Sequence, residues 1–338
     1  MNTCSAKSMA GRVTCILSFL LAAQPLLAAD QHLTPNERLR GAARSGDVNE
    51  IVSALRAGAS VQVAVKGRYE PQNPLNVAVT WGNIAAVKVL LKWGANPSRA
   101  IDDAVCNPDI LQILLDERAD PNYSHGSLVS PLYGAIVTGG SPKLEEKCMA
   151  SAALLIKYGA RVDGKGGTLP LVGAIQANSL PFVKFFLANG ANVNLVDAAG
   201  LPPLLEAIFA RGLMEPCGNR SRGQPDCVAA TTNAQVIRVL LDHGADPNFR
   251  DKNRWVPTLD KLDFRYISGS TALCVAARYG WDDIAKLLLT RGADSRIPRS
   301  DGSLPFAIAR ENGHVRTAAL ISGATDMHRV KTTGRTVP

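Results

Sequence analysis

Five histidines are the first residues that could do acid–base or metal chemistry in this chain of 338 residues. His32 precedes the regular part of the sequence and His328 follows it, while His243 and His314 occupy a helix end and a turn. His125 lies in a loop without a partner motif, and no Cys/His spacing typical of a metal site occurs. We therefore predict no catalytic residue, no metal site and no cofactor.

A glycine-rich stretch at residues 159–166 comes close to a phosphate-binding loop. Gly166 stands where that loop needs the Ser or Thr that holds magnesium, and the strand before it and the helix after it are missing. A helix precedes the stretch instead, which indicates a turn. A Gly-x-Ser-x-Gly elbow is also absent, so no feature of the sequence predicts an enzyme; an unrecognised hydrolase is the remaining catalytic alternative.

Residues 1–29 have the composition of a leader segment. Two basic residues precede an apolar run over residues 13–21, and small residues follow near Ala28 and Ala29. This order is typical of a cleaved secretory signal peptide. The rival is a membrane anchor, but Gln24 interrupts the run before it reaches the roughly 20 apolar residues of a spanning helix. We expect a periplasmic or secreted protein without stable membrane insertion after cleavage.

Five cysteines remain behind this leader, and disulfides persist outside the cytosol. Cys217 and Cys227 bracket a Gly- and Pro-rich loop, so we predict that they form a disulfide. Cys106 and Cys148 are expected in inter-helix turns of adjacent units, which would bring them near one another; whether they are bridged stays open. Cys274 is left over, and a buried, small apolar role is expected for it.

The elements that carry these residues recur along the chain. An amphipathic segment ends repeatedly in two large apolar residues followed by glycine and alanine, which is typical of a helix that stops at a left-handed glycine. The copies lie at 90–95, 114–119, 154–160, 186–191, 240–245 and 288–293, with an opening copy at 54–59 and a degenerate one at 319–326. A second phrase, usually containing Pro and Leu, starts the preceding helix at 73–78, 130–135, 169–174, 202–207, 271–276 and 304–309.

These phrases resemble the ankyrin repeat, a unit of about 33 residues that starts Thr-Pro-Leu-His-x-Ala. The resemblance implies an all-α solenoid of about eight helix-turn-helix units, and a non-catalytic module that binds proteins. Arg118 stands where glycine is expected, so that turn is expected to be altered. The histidine of the Thr-Pro-Leu-His-x-Ala motif is replaced in every unit that has the second phrase, and the hydrogen bonds that it makes in the family must therefore be absent or replaced. The residues in its place are Asn76, Tyr133, Val172, Leu205, Cys274 and Ala307.

The expected domain organisation is a signal peptide at 1–29, a repeat domain at 30–326 and a disordered tail at 327–338. The number of residues between successive glycine positions at the ends of the second helices varies, which indicates a shortened third unit and three insertions. The insertions lie at 138–148, 212–232 and 249–269, and the units are expected at about 34–62, 70–98, 99–123, 129–164, 168–197, 201–250, 270–298 and 302–326.

The net charge of +8 would suggest a polyanionic partner, but it is not spread evenly. Two positive charges lie in the leader and a surplus of six lies in residues 250–338, which leaves residues 30–249 balanced. We therefore predict no nucleic-acid partner. Aromatic residues make up only 5% of the chain, which fits a row of thin Leu and Ala interfaces better than one large core.

We expect the partner to be another protein and the chain itself to be a monomer. Aromatic and arginine side chains of first helices and inter-repeat loops are the candidate contacts, because such residues anchor many interfaces. They are Tyr69, Trp81, Tyr133, Arg254, Trp255, Phe264, Tyr266 and Tyr279. Resemblance to exported bacterial ankyrin proteins suggests an immunity protein or a stress-defence companion in the periplasm; the alternative is a secreted effector that binds host proteins.

Overall fold

The structure is a computed structural model that describes residues 33–63, 73–124, 129–137, 141–164, 168–214, 225–250 and 269–333, with the backbone alone for 211–214, 225–232 and 325–333. These residues form helices joined by turns and loops. The α-helices are α1 (Pro35–Ser45), α2 (Val48–Arg56), α3 (Pro74–Thr80), α4 (Ile84–Lys92), α5 (Pro108–Asp116), α6 (Pro131–Val137), α7 (Pro142–Lys157), α8 (Pro170–Gln176), α9 (Leu180–Ala188), α10 (Pro203–Met214), α11 (Pro225–Asp242), α12 (Ala272–Tyr279), α13 (Asp282–Thr290), α14 (Pro305–Glu311) and α15 (Val315–Thr333).

Successive helices pack as antiparallel pairs, beginning with α1 against α2 and α3 against α4, and first helices also pack on the first helix of the next pair. The third pair differs, because two short 3-10 turns, Pro97–Ala100 and Asp102–Ala104, stand in place of its first helix. The predicted all-α class is therefore confirmed, with helix–turn–helix units as its repeat.

The chain forms two compact units. The first contains the residues up to Ala104 together with 112–119, and the second contains 105–111 and the chain from Asp120 onward. Helices α1–α4 belong to the first unit, and α6–α15 belong to the second. The boundary falls in the shortened third repeat, where the sequence supplies only a stub of first helix.

The glycine that follows each second helix ends that helix by adopting a left-handed conformation. Gly94 has a φ of 84° and Gly292 one of 92°. In both turns the alanine that follows donates its N–H to a carbonyl five residues earlier, at 3.1 Å and 3.0 Å, which satisfies a carbonyl that the helix leaves free. Arg118 makes the same turn with a φ of 65°, and the Ala119 N–H donates to the Leu114 carbonyl at 2.9 Å, so the expectation of an altered turn is wrong. The left-handed conformation is strained at this position because Arg118 has a Cβ.

The first of the two large apolar residues in the recurring phrase forms the core of each pair. Its side chain is fully buried in six copies, as Leu90, Leu114, Leu155, Phe186, Leu240 and Leu288. The opening copy has a buried Ala54 in this place, and the degenerate last copy buries Ile321, the second of its two large apolar residues, while Leu320 is exposed. Because the period of the phrase places this residue on the inner face of every second helix, one sequence position builds a series of small cores.

Asparagine side chains join consecutive inter-repeat turns in the second unit. The Nδ2 of Asn248 donates to the Gly292 carbonyl at 3.0 Å, and its Oδ1 accepts the Asp294 N–H at 2.7 Å. Asn194 makes the same two bonds to the Gly244–Asp246 turn, at 3.0 Å and 2.8 Å. These bridges fix one turn against the next, since each amide pairs two backbone groups that helix ends leave unpaired.

Three expectations about loops are wrong for the residues that the structure describes. The 138–148 insertion is largely helical, because Ser141 caps α7 by accepting the Leu144 N–H and Pro142 occupies its first turn. The 212–232 insertion contains the end of α10 and the first turns of α11, and its residues 215–224 lie outside the described part. The 327–338 tail is helical as far as Thr333, since no glycine or proline follows Gly323 before Gly334 and Gly323 itself stays inside α15.

Candidate protein-binding surface

Trp81 is the most exposed aromatic candidate among the described residues. It follows the last residue of α3, and 55% of its surface is accessible to solvent. The guanidinium of Arg44, near the end of α1, lies over its ring with Cζ 4.4 Å from the ring centroid. This cation–π contact holds an apolar ring and a positive charge side by side on the first compact unit.

The turn after Trp81 is tied to the end of α1. The Nδ2 of Asn83 donates to the carbonyls of Ala43 and Arg44, both at 2.9 Å. Gly46 has a φ of 80°, and a Cβ placed on it would lie 3.0 Å from the Asn83 Oδ1, so the amide fits closely against the α1–α2 turn. The backbone that carries Trp81 and Arg44 is therefore fixed before any partner binds.

Tyr133 and Tyr279 lie on first helices of the second unit and are half-buried. The ring of Tyr133 covers Gly173 on α8, where a Cβ would lie 2.6 Å from the tyrosine Cε2. Tyr279 stacks on Trp281 with ring centroids 5.0 Å apart, and burial raises the pKa of its hydroxyl against the opposing effect of Arg278. Both tyrosines thus support the repeat packing as well as presenting an edge to solvent.

The other candidate contacts lie outside the described residues. They are Tyr69, which comes just before the second predicted unit, and four residues of the 249–269 insertion, Arg254, Trp255, Phe264 and Tyr266. Their role as partner contacts stays a prediction.

Some of the cysteines singled out from the sequence also lie within the described residues and others do not. Cys106 and Cys148 form a disulfide with their Cα atoms 4.2 Å apart, although Cys148 lies inside α7 and not in a turn as expected. Cys217 lies outside the described residues and the side chain of Cys227 is not described, so their bridge stays a prediction. Cys274 is a buried free thiol, and burial raises its pKa despite hydrogen bonds with Thr271.

A pair of carboxyl groups in the second unit was not foreseen from the sequence. Glu206 on α10 and Asp197 in the preceding loop are joined by a side-chain hydrogen bond. Burial and the charge of Asp197 raise the pKa of Glu206 to about 7, and a hydrogen bond with Gln176 opposes the shift. The Oδ1 of Asp197 accepts the N–H groups of Ala199 and Leu201, both at 2.9 Å, and thereby shapes the loop.

An alignment of the repeats shows that Glu206 is unusual for its position, and this could have indicated the pair from the sequence. Glu206 comes three residues after the proline that starts its helix, and the same position in other units holds Val77, Gly134, Gly173 and Ile308. A carboxylate at a position that is otherwise apolar or glycine marks a special environment. By contrast, Arg44 offers no such signal, because exposed arginines near helix ends are common.

The last helix pair carries a shallow, open depression of about 300 Å³ lined by Phe306, Ala307, Arg310 and Glu311. The Arg310 guanidinium carbon lies 5.8 Å from the centroid of the Phe306 ring. The site therefore combines an aromatic face with one charge of each sign.

Histidines in the described repeats have structural contacts. The Nε2 of His314 lies 3.0 Å from the Arg278 carbonyl, and the Nδ1 of His243 lies 2.8 Å from the Val239 carbonyl. Within the described ranges no group of three or more His, Cys, Asp or Glu side chains is arranged to hold a metal ion. Among the helices of those ranges, none combines the length and apolar character that crossing a bilayer requires.

Comparison with known families identifies the repeat. Residues 227–330 match the family described as "Ankyrin repeats", in three copies. Together with the helix pairs, this match confirms the predicted all-α ankyrin-repeat fold. Ankyrin repeats bind other proteins, so the coarse function that the match supports is a protein–protein interaction module.

Similarity to individual proteins extends over most of this chain. It is 32% identical over 229 residues to the B-cell lymphoma 3 protein homolog of Mus musculus, covering 63% of this chain and 44% of the mouse protein. It is 24% identical over 253 residues to the ankyrin repeat protein YahD of Escherichia coli (strain K12), covering 75% of this chain and 94% of YahD. A Caenorhabditis elegans protein with ankyrin repeats and a KH domain, mask-1, is 24% identical over 307 residues; this covers 84% of this chain and only 11% of mask-1.

Proposed function

We propose that this ankyrin-repeat chain is a non-catalytic binding protein of the bacterial periplasm that acts by holding another protein, as an immunity or stress-defence protein. The supporting observation is the exposed Trp81 ring with the Arg44 guanidinium over it, carried by a turn that is fixed by hydrogen bonds. A large exposed aromatic on a rigid scaffold loses little conformational entropy when a partner covers it, and such residues dominate binding energy at interfaces.

Location in the periplasm rests on the composition of residues 1–29 and on the disulfide between Cys106 and Cys148, which an oxidising compartment would maintain. Fractionation of cells that produce the tagged full chain tests this part. We expect the chain in the periplasmic fraction with its first residue near Asp30. Recovery of an uncleaved chain from the cytosol would contradict it, and recovery from the medium would favour the alternative of a secreted effector.

Binding is tested by chemical crosslinking and affinity capture from periplasmic extract with three forms of the chain: wild type, Trp81→Ala and Trp93→Ala. Trp93 is a matched control, because it is also an exposed tryptophan, with 43% of its surface accessible, in the same helix pair. We expect one protein to be retained by the wild type and the Trp93 variant and lost with the Trp81 variant. If no protein is captured by any form, the proposed function is wrong.

A further inference from the structure

The surface around Trp81 has a chemical character that points to one kind of partner. Ile84, the first residue of α4, comes three residues after Trp81 in the chain, and 40% of its surface is exposed. Lys88 is exposed and lies one helical turn after Ile84, so the two share a face of α4. We call Arg44, Trp81, Ile84 and Lys88 the Trp81 patch.

The two cations of the patch have no acidic partner among the described residues. The exposed Arg44 contacts the Trp81 ring, and the pairs of opposite charge found in the first unit lie elsewhere, as with Arg38 and Glu50 at 2.8 Å. The nearest acidic residue along the chain is Asp47, whose Oδ1 accepts the Glu50 N–H at 3.0 Å as the cap of α2. The patch therefore combines two exposed apolar side chains, Trp81 and Ile84, with two exposed positive charges, Arg44 and Lys88.

The contact with Trp81 determines how Arg44 can bind. A guanidinium has five N–H donors, and a ring on one side of it can cover only part of the group, so donors stay available to a partner. A planar carboxylate accepts two such parallel donors, and holding the guanidinium in advance reduces the entropy lost on binding. Arg44 is thus arranged to receive a carboxylate beside the Trp81 ring.

We propose that the Trp81 patch binds an acidic segment of the partner protein, in which a carboxylate pairs with Arg44, an apolar side chain covers Trp81 and Ile84, and a second acidic residue faces Lys88. This inference rests on the proposed function and names the chemistry of its partner. The exposed Trp81 and Ile84 side chains favour a protein segment over a phosphate-rich polymer, because a phosphate backbone offers no apolar group to cover them.

The test uses the full-length chain labelled with ¹⁵N and reads the indole N–H signal of Trp81, which is assigned by its loss in Trp81→Phe. The probe is a short acetylated peptide in which glutamates flank a central leucine. The control probe is the same peptide with glutamines. We expect a saturable shift of the Trp81 signal with the acidic peptide, and an affinity at least tenfold lower with the glutamine peptide, which is about 1.4 kcal/mol.

Two variants, each of which removes one positive charge, test whether Arg44 is the residue that binds the acidic peptide. Arg44→Gln should weaken the acidic peptide at least tenfold, whereas Arg56→Gln, which removes an exposed arginine from α2 in the same unit, should leave binding unchanged. Both positions are exposed, so the fold should be kept, and circular dichroism checks this. Equal binding of the two peptides, equal binding by Arg44→Gln, or a shift confined to Trp93 would overturn the proposal.

The remaining outcomes separate the possible errors. A Trp81 shift with phosphatidylglycerol vesicles but not with the peptide would assign the patch to a membrane surface and overturn the proposal. If a partner is captured equally well by wild type, Trp81→Ala and Arg44→Gln, the patch is wrong and the proposed function stands. If the acidic peptide binds as expected but no periplasmic protein is captured, the proposed function is wrong and the patch stands.

Discussion

Replacing Glu206 with glutamine should stabilise the folded protein at pH 8 and change its stability little at pH 4. The Glu206 side chain is hydrogen-bonded to Asp197 and Gln176, and burial together with the charge of Asp197 raises its pKa to about 7. Glutamine keeps an N–H donor for Asp197 and an oxygen for a neighbour, but it cannot take on a negative charge. The substitution therefore removes the charge and keeps the polar contacts.

The size of this change in the free energy of unfolding follows from the pKa of Glu206 in the folded chain and its pKa in the unfolded chain. In the unfolded chain Glu206 has its ordinary pKa of 4.5, so between pH 4.5 and about 7 the folded state binds more protons than the unfolded state. The free energy of unfolding of the wild type must then fall as the pH rises through this window. A pKa difference of this size corresponds to a loss on the order of 3 kcal/mol, at about 1.4 kcal/mol for each factor of ten.

Urea denaturation followed by circular dichroism from pH 4 to pH 8 measures this directly. The wild type should lose stability between pH 4.5 and 7, and Glu206→Gln should lack this loss, so that the gain from the substitution reaches up to about 3 kcal/mol at pH 8. Glu146→Gln is the matched control, because Glu146 is exposed on α7 in the same compact unit. If the two variants have the same difference from wild type at pH 4 and pH 8, the carboxyl pair does not behave as described.

Other predictions concern the turns and the disulfide. The double variant Cys106→Ser with Cys148→Ser should lose about 4 kcal/mol of unfolding free energy in the chain-entropy account, since the bridge closes 42 residues. Reductant should destabilise the wild type by about this amount more than it destabilises the variant, which keeps the predicted Cys217–Cys227 bridge. Asn248→Ala should lose about 0.5–1.5 kcal/mol in urea denaturation, because two hydrogen bonds to the next turn are lost and water replaces them only in part. Arg118→Gly should gain up to about 1 kcal/mol by relieving a φ of 65°, and an unchanged or lower midpoint would show that the turn is not strained.

Local pattern predicted the helix pairs well. The recurring apolar pair, glycine and alanine ended a second helix at Gly94, Gly159, Gly190, Gly244 and Gly292, because the turn depends on a left-handed residue and a bond to the helix that it ends. The degenerate last copy did not follow the rule, since Gly323 stays helical when no turn residue follows it. A capped proline likewise made a helix of residues 142–148, where the excess length alone had indicated a loop.

Only some features of the candidate surface could be predicted from the sequence. Trp81 was named from its residue type and its place at the end of a first helix, and the structure adds its exposure. The cation on its ring could not be foreseen, because Arg44 lies in the preceding repeat and the contact depends on how α1 packs against α3. Tyr133 and Tyr279 were chosen by the same reasoning as Trp81, and their packing against neighbouring residues half-buries them.

By itself, the sequence determined the class of the fold and the position of the turns that end the second helices up to Gly292, because these depend on contacts within one repeat. Only the tertiary structure decided that the Arg44 guanidinium lies over the Trp81 ring, that Glu206 is hydrogen-bonded to Asp197 and that Cys106 is bonded to Cys148 inside a helix. Each of those pairs joins side chains whose separation depends on the packing of neighbouring helices and the path of a loop. A periodic sequence pattern determines which face of a helix a residue occupies, and the packing of the helices then determines which other residues contact that face.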